Sequence, residues 1–472
     1  MPRTPRGIAD TWASSVLDDT IAAIATPLGE GGLAVIRLSG SRALEIADSC
    51  FTLAGKGSLS SAASHTIHFG HIHRNGQVVD EVLASVMRSP RSFTTEDVVE
   101  ITCHGGLLPA KSILDTLLES GARLAEPGEF TRRAFLNGRI DLAQAEAVAD
   151  LIHSRTELAL RAANEQLAGK LSARINELRD QMVKTLAHIE AHIDFPDEDI
   201  APETREQLLG RLENGVVFMD ELLRTANEGQ ILRRGIRAAI IGRPNAGKSS
   251  LLNQLLGRDR AIVSPIPGTT RDTIEETANI RGLPIVFIDT AGLREARDEI
   301  EQEGIRRSRQ TLQQAELILH VIDVSQPLDE IDRGYLREFT DKKRILVLNK
   351  ADLIVGQAVP AEAGTSNLPG VLISCLTGQG IEGLKDAIKD MVWSGKIKVE
   401  MLEVMINSRH QEALTRARAA TVRTIEALRE DQTLELVALD LRLAVSAIGE
   451  IVGKTTTEDL LDMIFSQFCI GK

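Results

Sequence analysis

The sequence predicts a multidomain protein, part α/β and part all-α: an N-terminal α/β domain, then a helical domain into which a doubly wound nucleotide domain is inserted. Three observations carry this expectation. Gly242 to Ser249 fits G-x-x-x-x-G-K-[ST], with a short apolar run before it and leucines three to four apart after it. From Gly235 to Ile397, apolar runs alternate with helical stretches, as a parallel sheet requires. On both sides of that region apolar residues recur at spacings of three and four, the period of packed helices. The expected divisions are 1–138 for the N-terminal domain, 139–234 and 398–472 for the two helical halves, and 235–397 for the insert.

Composition narrows the class. The chain has 472 residues, 43% apolar and 26% charged, ordinary for a soluble globular protein with real cores. Aromatics are only 3%, so those cores must be aliphatic. Lys and Arg number 54 against 67 Asp and Glu, a net charge of −13, which argues against general affinity for nucleic acid and leaves only local basic patches for RNA. Cys50, Cys103, Cys375 and Cys469 form no C-x-x-C pair, so they read as free thiols of a reducing cytoplasm rather than a zinc site or disulfide framework. No run of 18 apolar residues suggests a membrane span, and the start lacks the apolar core of a secretory signal.

In chain order, 33–38, 82–86 and 97–102 read as strands, with Ser41 capping a short helix and 109–119 helical. Leu160, Ala163, Leu167, Leu171, Ile175, Leu178, Met182, Leu186 and Ile189 predict one long helix, and Leu208, Leu212, Val216, Met219 and Leu223 a second. Strands are expected at 237–241, 284–289, 317–323, 344–348 and 371–374. Two helices close the pattern, one with Leu414, Ala417, Ile425 and Leu428 inward, the other with Leu436, Leu439, Leu443, Ala447 and Ile451 inward.

The insert carries the chemistry. A glycine loop between strand and helix turns backbone N–H groups inward, and the helix start adds positive potential, so it cradles phosphates. Asn245, Ala246, Gly247, Lys248, Ser249 and Ser250 form that cradle, with Lys248 reaching the β- and γ-phosphates and Ser249 holding Mg²⁺. Gly268-Thr269-Thr270 supplies a switch threonine. In Asp289-Thr290-Ala291-Gly292 the aspartate reaches Mg²⁺ through water, and Gly292 N–H reaches the γ-phosphate. Asn349-Lys350-Ala351-Asp352 follows about 100 residues after the glycine loop. Asp352 accepts from guanine N1–H and the 2-amino group, which adenine cannot offer, so GTP is selected. Ser374-Cys375-Leu376 backs the base. Leu293 stands where a Ras-like enzyme keeps its water-positioning glutamine, so hydrolysis draws on something else. Asn245 suggests a monovalent cation beside the phosphates, replacing an arginine finger.

These G motifs resemble the Era/TrmE group of GTPases. The flanks narrow the match: Pro127-Gly-Glu-Phe-Thr-Arg-Arg-Ala-Phe-Leu-Asn137, Asp141-Leu-Ala-Gln-Ala-Glu-Ala147 and Phe468-Cys-Ile-Gly-Lys472 resemble the MnmE (TrmE) family of tRNA-modification GTPases. The resemblance implies an N-terminal domain that binds formyl- or methylene-tetrahydrofolate and makes a homodimer, with Arg37, Glu100, Arg139 and Lys472 at the folate positions. It implies a GTPase acting with a flavoprotein, MnmG, in a heterotetramer, placing a carboxymethylaminomethyl or aminomethyl group on C5 of the wobble uridine of certain tRNAs. It implies potassium-dependent G-domain dimerisation. The potassium positions are Asn245, Ser264, Ile266 and Thr269, the Mg²⁺ positions Ser249 and Thr270, and Glu301 positions the attacking water beside catalytic Lys248. Pro265 and Pro267 complete the nucleotide set. Cys469 is a candidate nucleophile beside the folate positions, but it reads rather as a small residue packed near the chain end. The alternative is an Era-like ribosome-assembly GTPase without folate chemistry, which would need an RNA-binding module such as a KH domain.

Overall fold

The computed structural model describes residues 19–195, 205–257, 275–288, 313–338, 342–354, 369–393, 402 and 404–472. Its contacts divide the chain into two compact units: 1–149 with 167–211 and 423–472, and 150–166 with 212–422. The division cuts through helices, because the insert lies between helical halves.

The first unit begins with β1 (Ile21–Ile24), β2 (Leu33–Ser39), α1 (Ala43–Cys50), β3 (Phe51–Leu53), β4 (Thr66–Arg74), β5 (Gln77–Met87), β6 (Val98–His104), α2 (Leu107–Glu119), β7 (Arg123–Leu124) and α3 (Glu129–Leu136). The strands form one seven-stranded sheet in the order β3-β4-β5-β6-β2-β1-β7, antiparallel except for the β1–β7 pair. Residues alternate across it because successive side chains leave a strand on opposite faces. Ile36, Leu38, Val82, Ala84, Val86, Val99 and Ile101 bury one face under α1 and α2. On the other face, Ile67, Phe69, Leu83 and Leu33 stay exposed. Among the described residues, only the β1 end of that face is covered, where Ile21, Ala23, Ala125 and Phe130 cluster with Phe93. The helix α1 starts after Arg42, one residue later than the expected Ser41 cap.

The helices α4 (Leu142–His153), α5 (Glu157–Leu167), α6 (Lys170–Asp194), α7 (Arg205–Arg224) and α8 (Ala226–Arg234) follow. The single long helix expected over 160–189 is two. Gly169 sits at φ 85°, a left-handed conformation open to glycine, and divides α5 from α6. Leu160 is exposed, whereas Leu171, Ile175, Leu178, Met182 and Ile189 are buried.

The insert contains β8 (Ile236–Ile241), α9 (Lys248–Leu256), β9 (Glu276–Ile280), β10 (Leu283–Phe287), β11 (Leu317–Asp323), α10 (Glu330–Arg337), β12 (Lys343–Asn349), β13 (Gly370–Leu372) and α11 (Ile381–Val392). Its six-stranded sheet runs β13-β12-β11-β8-β10-β9, parallel except that β9 pairs antiparallel with β10. This is the doubly wound Ras-like arrangement. All five expected strands are present, and β9 is the one the apolar pattern did not reveal, since Glu276, Thr277 and Asn279 interrupt its run. The sheet core is aliphatic, as the composition requires, and Trp393 and Phe287 are its large aromatics.

Last come α12 (Ser408–Arg429), α13 (Leu434–Val452) and α14 (Glu458–Phe465). The helix α6 lies along α13, with Arg442 paired to Glu190, and Arg418 of α12 pairs with Asp220 of α7 at 2.5 Å. The inward face expected for α13 is corrected in its first half only, since Ala447 and Ile451 are buried as expected. Val437, Ala438, Leu441, Ala444 and Ile448 are buried, while Leu436, Leu439 and Leu443 point outward. A helix this rich in leucine and alanine carries two candidate stripes, and periodicity alone does not choose between them.

Candidate functional site: a nucleotide centre and an arginine–glutamate cluster

The phosphate loop links β8 to α9. Asn245 at φ 61° and Gly247 at φ 100° are both left-handed, so the chain turns tightly before α9 begins. Gly242 has no room for a side chain: a Cβ there would lie 2.3 Å from the Val321 carbonyl. Lys248 donates from Nζ to the carbonyls of Gly242 at 2.9 Å and Arg243 at 2.8 Å, so its amine lies across the loop's mouth. Burial pulls its pKa below the ordinary lysine value.

The base loops arrive at the same end of the sheet. Asn349 donates from Nδ2 to Ala246 O at 2.8 Å and accepts from Cys375 N at 3.1 Å. One buried side chain thus fixes three loops. Asp352 accepts from Ser374 Oγ at 2.5 Å, which orients its carboxylate, and Ser374 Oγ also accepts from Thr377 N. Ala351 N donates to Ile373 O at 3.0 Å. Leu376 is 84% exposed, while Cys375 is buried and its thiol is pushed up to about 11. The structure therefore brings together Asn245 to Ser250, Asn349 to Asp352 and Ser374 to Leu376. Ser264 to Thr270, Asp289 to Gly292 and Glu301 lie outside the described residues.

Three residues here escaped the sequence reading. Gln254 of α9 donates to Cys375 O at 2.8 Å. Asp323, at the end of β11, pairs with Lys350 at 2.6 Å. Arg243 approaches Asp332 at 3.6 Å. The signal for Asp323 was available: it ends an apolar strand beside the strand that delivers Asn349.

The second cluster lies on the sheet of the first unit, where its covered end meets the open face. Arg37 on β2 and Glu100 on β6 face each other in register, with Nε to Oε1 at 2.8 Å. The Arg37 guanidinium sits 5.5 Å from the Phe130 ring centre and reaches Gly471 O at 3.4 Å. Arg139 stacks 5.5 Å from the ring centre of Phe93 and bonds Ser92 O. Residues 469–472 are stitched in place by Gly128 N to Cys469 O, Phe130 N to Lys472 O and a Pro127–Ile470 bridge. Gly471, at φ 93°, passes so close to Ile24 O that a Cβ would lie 2.5 Å away. The four expected residues thus come to one neighbourhood, with Phe130 and Phe93 as aromatic platforms the sequence did not flag. The packed position expected for Cys469 is corrected: it is exposed.

Beneath this cluster, Arg133 is 1% exposed and bonds Asp19, Glu96 and Glu129. Burial opposes its charge, but the three carboxylates outweigh it and raise its pKa. Glu96 also accepts from Ser39, which ties the 92–97 loop that carries Phe93 to β2.

A Ras-like G fold with a phosphate loop, an Asn-Lys-x-Asp loop and a third loop at one sheet end defines a guanine-nucleotide-binding protein. The flanks define it further. The family model "MnmE helical domain" matches 142–469, and "GTP-binding protein TrmE N-terminus" matches 20–139. The "tRNA modification GTPase MnmE" of Geobacillus kaustophilus is 48% identical over 96% of this chain and 99% of its own, and that of Bacillus subtilis is 46% identical over 96% and 100%. The chain belongs to the MnmE family. A solved T. maritima FeoB G domain covers 33% of this chain and 98% of its own at 29% identity, with a TM-score of 0.26.

Proposed function

We propose that the protein is a GTPase that acts in tRNA modification. The observation that carries the reading is Asn349, which ties the phosphate loop to the base loops, so that phosphates and guanine are gripped by one rigid frame. Asp352, oriented by Ser374, selects guanine. Mg²⁺ on Ser249 and Thr270, and K⁺ on Asn245, Ser264, Ile266 and Thr269, would supply positive charge around the phosphates, and Glu301 would position water. The test is phosphate release from GTP against ATP, in potassium and in sodium. Turnover specific to GTP and faster in potassium is expected; ATP hydrolysed equally well refutes the reading, and equal rates in both salts refute the role of Asn245. For Glu301→Ala, GTP binding persists and hydrolysis slows.

The finer reading follows the family. With the flavoprotein MnmG, the protein adds a carboxymethylaminomethyl or aminomethyl group to C5 of the wobble uridine of certain tRNAs in the cytoplasm. The N-terminal domain, 1–138, binds a formyl- or methylene-tetrahydrofolate. The pairing of Arg37 with Glu100 supports this: a carboxylate held in place suits pterin N–H groups, while Arg139 and Lys472 remain for the carboxylates of the tail. The open sheet face, with Ile67, Phe69, Leu83 and Leu33 exposed, supports homodimerisation. The divisions 139–234, 235–397 and 398–472 complete the proposed architecture. Nucleoside analysis of tRNA from a deletion strain tests the whole: unchanged wobble uridines would refute it. An Era-like assembly factor is not favoured, because the family matches span the N-terminal and helical regions as well as the insert.

A further inference from the structure

We propose that Asp323 is a positioning residue for the guanine site. It anchors the Lys350 amine so that the lysine's four-carbon stem is set along the base before the nucleotide arrives, and with Arg243 it straps the phosphate loop to the base loop. This rests on the guanine-nucleotide reading above.

Asp323 ends β11 and lies in register with Asn349 at the end of β12. Its carboxylate is 4% exposed and accepts from Lys350 Nζ at 2.6 Å, Ser325 Oγ at 2.6 Å and Ser325 N at 3.0 Å. Burial acts to raise its pKa, but the bonds from Lys350 and Ser325 outweigh burial and hold it below the usual carboxylate value. Lys350 stands at φ 69°, a left-handed conformation uncommon for a residue with a side chain. A free lysine stem would lose rotamer freedom on covering a base; an amine already fixed leaves less to lose.

The far side of Asp323 faces the phosphate loop. Its backbone carbonyl accepts from Arg243 Nη2 at 3.4 Å, and Arg243 Nε lies 3.6 Å from Asp332, which is fully buried. The strand end is thus held from both sides. A buried ion pair adds little net stability, so the consequence of this one is positional.

The experiment is release of a fluorescent GDP analogue from the full-length protein, chased with unlabelled GDP. Asp323→Asn is expected to speed release about tenfold while Asp323→Glu stays within about threefold of wild type. Lys350→Met keeps the stem and removes the anchored amine, so it too speeds release about tenfold. The double variant should be no faster than either single one. Multiplying effects in the double variant would mean two independent structural losses and overturn the proposal, as would wild-type release from Asp323→Asn. Should Asp323→Asn fail to fold, Lys350→Met decides alone: unchanged release overturns the anchoring. A wild-type protein that bound no guanine nucleotide would instead refute the site, a different failure.

Discussion

The two sheets of this protein solve opposite problems. The sheet of the insert is parallel but for one strand, its central strands are buried along nearly all their length, and its chemistry lies at the carboxyl ends of those strands. The N-terminal sheet is nearly all antiparallel, buries one face, and carries Arg37 and Glu100 on the other. A sheet covered on both sides offers ligands only its ends. A sheet covered on one side offers a whole surface, for a partner as well as a ligand.

The sharpest way to break this comparison is to alter an end. Asp352→Asn should weaken GTP about 10⁴-fold, because a donor replaces an acceptor opposite guanine N–H groups, and should admit xanthosine triphosphate, whose 2-oxo group accepts. Competition binding measures both. On the other sheet, Arg133→Met leaves three carboxylates without their shared partner and should cost about 3–5 kcal/mol, seen as a lower urea midpoint. Lys248→Ala should cut GTP turnover about 10²–10³-fold while leaving self-association unchanged, which separates the two sheets functionally. Phe69→Asp on the open face should raise the dimer dissociation constant about 10–100-fold in sedimentation and leave GTP turnover per protomer at low concentration intact. A separate effect, read against pH, concerns His320 on β11. It is fully buried, both ring nitrogens lack partners among the described residues, and burial pushes it down to about 4. The unfolded chain takes up this proton near pH 6.5 and the folded one only near 4. Stability is therefore intact above about 6.5, falls by up to about 3 kcal/mol toward pH 4, and is level below it. His320→Phe should flatten that slope in pH-dependent unfolding.

The difference between the sheets also explains what the sequence could reveal. Covered strands such as Leu317–Asp323 read as apolar runs broken only by a single histidine, and glycine loops at their ends announce themselves, so the described loops of the candidate nucleotide site could be placed from the sequence. Antiparallel β9 was not, because a partly polar edge strand lacks that signature. In the helices, periodicity located the elements but not their breaks or faces: Gly169 decides a break through one backbone angle, and the inward face of α13 depends on its packing partner α6. Arg37 and Glu100 lie 63 residues apart and owe their meeting to strand order, which no local pattern encodes; only the family resemblance singled them out. Phe93 carried no signal of its own, being one of eleven phenylalanines, and Phe130 lay within the Pro127–Asn137 motif without a role attached to it.

The stitching of residues 469–472 to the N-terminal sheet has a consequence in time. Arg37 and Gly471 are 434 residues apart, so the corner around Arg37 cannot be finished until all the residues between them have been made. At ordinary synthesis speeds the first strands wait roughly half a minute for their last contact. An N-terminal fragment expressed alone would keep its sheet and lose this corner. A bulky tag fused after Lys472 would press on the same spot.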